Sequence, residues 1–149
     1  MSGIDADHAA SHLGKAQGIV AFLRTALPLS NLHQDPGLPL DILARFKISQ
    51  NDTVTDPKIW STESLRYSVH EMADRANAHI FKSQQELRRL KMDSIERLFL
   101  PLLVVKRYLN LLEKVDFDLS RRELYRFDKF LPLRLAWDYY STGKLKTAN

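Results

Sequence analysis

Carboxylates and imidazoles at metal-binding spacing are where chemistry would first show, and this chain has three such groups. Asp5, His8 and His12 follow one another at steps of three and four, so a helix would place them on one side. Two histidines one turn apart can grip zinc, but a site needs further ligands and hydrolysis needs a base, and no His-Glu-x-x-His pattern occurs. These histidines read as surface or interface groups near a helix start. Asp52 and Asp56 are four apart, a spacing that on a helix aims both carboxylates at one Mg²⁺. Thr53, Val54, Thr55 and Pro57 oppose a helix there, so that pair reads as solvated loop. Asp116-Phe117-Asp118 has the form of a metal–diphosphate tripeptide, but so short a motif reads better as a cap and turn between helices. There is no Gly-x-Ser-x-Gly elbow, and five glycines are too few for a phosphate-cradling loop. The absence of cysteine excludes disulfides, thiolate metal sites and a cysteine nucleophile. Trp60, Tyr67, Tyr108, Tyr125, Trp137, Tyr139 and Tyr140 read as core or interface anchors rather than a cofactor cage.

The elements that would carry these residues are helical. At 149 residues, 44% hydrophobic and 27% charged, the chain has the composition of a single globular domain with its own core. Leu13, Ala16, Val20, Leu23 and Leu27 predict a helix over residues 7–27, stopped by Pro28. Pro36-Gly37 marks a loop, and Pro39 opens a short helix over 39–46. Residues 47–60 read as loop. Ser61 or Thr62 then caps a long helix over 62–91, with Leu65, Val69, Met72, Ala76, Ile80, Leu87 and Leu90 as its apolar face. A further helix over 93–115, built on Ile95, Leu98, Leu102, Val105, Leu109 and Leu112, should kink at Pro101. Helices over 120–130 and 133–140 complete an all-α helical bundle.

Residues 98–105 are apolar on every side, which predicts burial from several directions or contact with a partner. Leu98, Phe99, Leu102 and Leu103, with Trp137 and Tyr140, are the candidate contact residues. That run is also the longest apolar one without a charge, far short of the roughly 18–20 residues that span a bilayer. The acidic start Met-Ser-Gly-Ile-Asp-Ala-Asp is neither a signal peptide nor a basic transit peptide.

A net charge of +4 and a pI near 9.4 raise the question of nucleic acid. Arg88, Arg89, Lys91, Arg97, Arg121, Arg122, Arg126 and Lys129 are interrupted by Glu86, Asp93, Glu96, Glu123 and Asp128. Mixed signs at helical spacing describe solvated faces with i,i+4 pairs rather than a phosphate-tracking stripe, so no nucleic acid is expected. An anionic membrane surface or an acidic partner suits the same charge.

The run His12-Leu13-Gly14-Lys15-Ala16-Gln17-Gly18-Ile19-Val20-Ala21-Phe22-Leu23-Arg24-Thr25 resembles a late helix of squalene and phytoene synthases, Leu-Gly-x-Ala-x-Gln-x-x-Asn-x-x-Arg-Asp-x-x-x-Asp. Gly14, Ala16 and Arg24 match it, and Leu38-Pro39-Leu40-Asp41 echoes the Tyr-Leu-Pro-x-Asp segment that follows. The glutamine and asparagine positions are Gly18 and Ala21, and the two aspartate positions are Thr25 and Leu29. The resemblance implies an isoprenoid synthase-like fold, of which this chain would form the C-terminal half. In catalytic members those aspartates hold Mg²⁺ against the substrate diphosphate. Threonine and leucine are no substitute, and the other aspartate-rich motif would precede Met1. The implied cleft, marked by Gly14, Lys15, Ala16, Gly18, Ala21, Arg24, Thr25 and Leu29, is therefore degenerate, with no catalytic residue, metal or cofactor.

His8-Ala9-Ala10-Ser11-His12, Lys114-Val115-Asp116-Phe117-Asp118 and Leu131-Pro132-Leu133 further resemble a non-catalytic mitochondrial branch of that family, which serves assembly of respiratory complex I. This implies a non-enzymatic factor on the matrix side of the mitochondrial inner membrane, peripherally associated with it. Such a factor acts early, through contacts with complex I subunits or other assembly factors. The enzyme-class alternative is a Mg²⁺-dependent prenyl-diphosphate-binding or transferase protein. Lys15 and Arg24 would then meet the diphosphate, and the missing half would supply the metal ligands.

Overall fold

Two long helices carry most of the packing in the computed structural model, which describes residues 2–89, 95–126, 130, 132–133 and 136–137. These are α1 (Ser2–Asn31) and α4 (Glu63–Arg89), with the short α2 (Leu40–Arg45) and α3 (Asp52–Thr55) between them and α5 (Ile95–Lys114) after them. Pro57–Ser61 and Arg122–Tyr125 are 3₁₀ turns. No strand occurs among the described residues, and no described helix is long and apolar enough to cross a membrane.

Ala9, Leu13, Ala16, Val20, Leu23 and Ala26 recur at three- and four-residue steps and are all buried. All of these but Ala9 meet Leu65, Val69, Met72, Ala73, Ala76 and Ile80 of α4 in one core. Alanines on both helices allow close approach of the axes, whose separation is set by the side chains at the contact. The helices run antiparallel: Ser83 Oγ donates to the Ala9 carbonyl at 2.9 Å, and His79 lies opposite His12. Leu102, Val105, Tyr108, Leu109 and Leu112 of α5 close the core. Thr62 caps α4, its Oγ1 accepting the Leu65 N–H.

Three expectations from the sequence need correction. Pro28 lies inside α1, which continues to Asn31. Proline removes one helix hydrogen bond, and tertiary bonds hold the extra turn: Ser30 Oγ donates to the Thr53 carbonyl at 2.6 Å and accepts from Trp60 Nε1 at 2.9 Å. His33, at φ 56°, then ends the helix, with the Gln34 N–H reaching back to the Leu29 carbonyl at 3.0 Å. Residues 47–60 are not plain loop. Thr53 and Thr55 turn their hydroxyls onto the Gln50 and Asn51 carbonyls, and α3 forms despite its β-branched run. Finally, 120–126 is not the start of a helix: Arg121 and Arg126 are extended around the 3₁₀ turn, and buried Leu119 and Leu124 hold the segment to the core. The predicted kink site Pro101 lies within α5. Most of the predicted helix over 133–140 lies outside the described residues.

Candidate functional site

With one side of α1 on α4 and α5, its opposite side is open. Ala10, Gly14, Gly18, Ala21 and Thr25 are exposed there in one stripe without a charged side chain, about 22 Å long at 1.5 Å per residue. Lys15 and Arg24 stand at its edges, while Ala16 faces the core and leaves the group. A methyl group built on Gly14 or Gly18 would meet nothing within 4 Å. Among the described residues nothing in the packing requires glycine at either place, although each costs a helix about 1 kcal/mol relative to alanine. Gly18→Ala is accordingly expected to raise the unfolding free energy by about 0.5–1 kcal/mol in urea denaturation; a loss would show that the stripe is already closely packed.

The stripe has no carboxylate where the resemblance places metal ligands. Thr25 Oγ1 donates to the Ala21 and Phe22 carbonyls, both at 3.1 Å, so its hydroxyl is engaged within its own helix. Leu29 is half-buried and offers no donor atom. A hard cation that takes oxygen ligands does not fit these residues. Among the described residues, no three histidine, aspartate or glutamate side chains converge.

Arg24 lies with Cζ 5.8 Å from the centre of the Tyr108 ring, an arrangement favoured by the ring quadrupole. Tyr108 is 8% exposed, and its hydroxyl has no partner among the described residues. Burial, followed by the neighbouring Tyr125, raises its pKa strongly. Burial, followed by the charge of Asp118, pushes Tyr125 up to about 12. Both phenols therefore stay neutral at physiological pH.

The other sequence candidates have structural roles. Asp116 takes the left-handed conformation that ends α5, at φ 54°. Arg66 bridges Asp116 and Asp118 at 3.2 and 3.1 Å, and Asp118 also accepts from the Ser120 N–H at 3.0 Å. Burial raises the Asp118 carboxyl, but the Ser120 hydrogen bonds and the charges of Arg66 and Arg121 outweigh it and hold the pKa low. Asp56 caps the first 3₁₀ turn by accepting the Lys58 N–H at 2.9 Å, and among the described residues it belongs to no group of three potential metal ligands. Asp41 pairs with Arg75, which holds its pKa down, and Arg75 also bonds Glu71 at 2.8 Å, tying α2 to α4.

Of the predicted contact residues, Leu102 is 4% exposed in the chain's own core, Leu103 is half-buried and Trp137 is 70% exposed. The side chains of Leu98, Phe99 and Tyr140 lie outside the described residues. His8 is exposed, whereas His12 faces His79, Nδ1 to Nδ1, at 3.0 Å. His79 and Arg66 escape a reading of the sequence because their partners are 67 and 50 or more residues away.

The squalene/phytoene synthase family profile matches residues 2–129. A Bos taurus protein called NADH dehydrogenase (ubiquinone) complex I, assembly factor 6 is 35% identical over 132 residues, covering 89% of this chain and 38% of that protein. Its Drosophila melanogaster homolog is 33% identical over 134 residues, covering 90% of this chain and 39% of its own length. The Homo sapiens protein of the same name is 31% identical over 132 residues, with 89% and 38% covered. The chain thus spans about two-fifths of the length of these relatives. No solved structure matches it.

Proposed function

The chain belongs to the squalene/phytoene synthase family, and from that premise we propose that it serves assembly of mitochondrial respiratory complex I without catalysing a reaction. The observation that carries this reading is the neutral pair Thr25 and Leu29, with the Thr25 hydroxyl already bonded to its own helix. A diphosphate leaving group carries several negative charges, and a site without carboxylates cannot hold the divalent cations that neutralise them. The names of the relatives point the same way. The working surfaces are the uncharged stripe on α1 and the exposed Trp137, which suit apolar faces of complex I subunits or other assembly factors. Action is early, on the matrix side of the inner membrane, where Arg121, Arg122 and Arg126 suit its anionic surface.

Restoring the carboxylates tests this reading. Thr25→Asp with Leu29→Asp is expected to support complex I assembly in complemented depleted cells as the unaltered protein does. The purified variant is expected to show no release of diphosphate from farnesyl or geranylgeranyl diphosphate. Turnover by the variant, with loss of assembly, would mean that the cleft is catalytic in design. The enzyme-class alternative, a prenyl-diphosphate-binding or transferase protein, draws on Arg24, a fixed and exposed cation beside the stripe. It requires Mg²⁺-dependent binding that Arg24→Ala abolishes.

A further inference from the structure

We propose that His12 and His79 form a proton-operated latch between α1 and α4, closed while a single proton lies between the facing ring nitrogens and opened when both nitrogens are protonated. The two Nδ1 atoms are 3.0 Å apart, and the ring centres are 5.2 Å apart at 34°. At that separation one Nδ1 must donate and the other must accept, so the neutral rings are held as opposite tautomers. One added proton leaves the arrangement intact, because an imidazolium can donate to a neutral ring. A second places two N–H groups head to head and two cations side by side.

The surroundings sharpen this response. Among the described residues, the charges that act on His79 are His12 and Lys15 from α1 and Lys82 from its own helix, all of one sign. Burial and then these charges lower the His79 pKa below its ordinary value. The ring that is neutral in the fold is protonated first in the unfolded chain. The stabilisation is thus complete above the unfolded value of about 6.5 and is lost as pH falls from there through the folded value. The latch sits beside the Ser83–Ala9 hydrogen bond, where the first turns of α1 lie on α4. Its opening would loosen those turns and leave the lower end of α1 seated by Trp60. A tetrahedral zinc ion is the rival occupant. It needs nitrogens about 3.3 Å apart at the usual bond length and two further ligands, in a place where Lys15 and Lys82 already repel cations.

The test combines imidazole titration by NMR on the full chain with a double-mutant cycle of His12→Ala and His79→Ala at pH 8 and at an acid pH where the NMR signals show both rings protonated. At pH 8 the pair should favour the folded state by about fivefold, the worth of one hydrogen bond, with the two rings in opposite tautomers. Once both rings are protonated that coupling should vanish or reverse, and the rings should titrate in two separate steps. Equal coupling at both pH values, or independent titration of both rings near 6.5, would overturn the latch. If either variant fails to fold, the titration of the unaltered chain decides alone. A rise in melting temperature with one equivalent of Zn²⁺, lost in His79→Ala, would overturn it in favour of a metal centre.

Discussion

Replacing Trp60 by alanine is expected to lower the unfolding free energy by about 3–5 kcal/mol, a large part of the 5–15 kcal/mol that a domain of this size usually has. Trp60 is 1% exposed, and its indole ties its own turn to α3, seven residues away, and to the end of α1, 30 residues away. Nε1 donates to Ser30 Oγ at 2.9 Å and to the Thr53 carbonyl at 3.2 Å, so the ring braces both α3 and the turn of α1 beyond Pro28. Trp60→Phe keeps much of the packing but loses the donor and part of the ring, and should cost less, about 1–2 kcal/mol. Urea denaturation followed by circular dichroism separates the two. Equal losses would mean that the indole N–H, rather than the volume of the ring, holds the junction.

Loss of the protein from cells should have the largest functional effect. If the chain serves complex I assembly, its depletion should lower fully assembled complex I severalfold and spare the other respiratory complexes. Native gels stained for each activity read both quantities at once. A uniform decline of all complexes would indicate general mitochondrial damage, and unchanged complex I would remove the basis for the reading. Re-expression of Thr25→Asp with Leu29→Asp should restore complex I in the same cells, as the proposal that the stripe on α1 meets partners by shape rather than through metal ions requires.

What the sequence revealed depended on how local the cause was. The helical periods of α1, α4 and α5 are written in residues three and four apart, and Leu13, Val69 and Leu109 lie in the core where the period puts them. Pro28 misled because the bonds that carry α1 past it come from Thr53 and Trp60, more than 20 residues away. Thr53 and Thr55 misled because their hydroxyls satisfy the carbonyls of a single turn, a use that average propensities do not record. The significance of Thr25 and Leu29 came from resemblance alone: without the family pattern, a threonine and a leucine on a helix carry no message. His79 and Arg66 were silent because only the packing of α1 and α5 on α4 supplies their partners.

The claim on which the rest depends is that α1 presents a surface to proteins rather than a charged trap for a diphosphate. Calorimetric titration of the protein with a non-hydrolysable farnesyl diphosphate analogue, with and without Mg²⁺, tests it most directly. The expected result is no heat of binding that depends on Mg²⁺. Saturable, Mg²⁺-dependent binding that disappears in Arg24→Ala would contradict it.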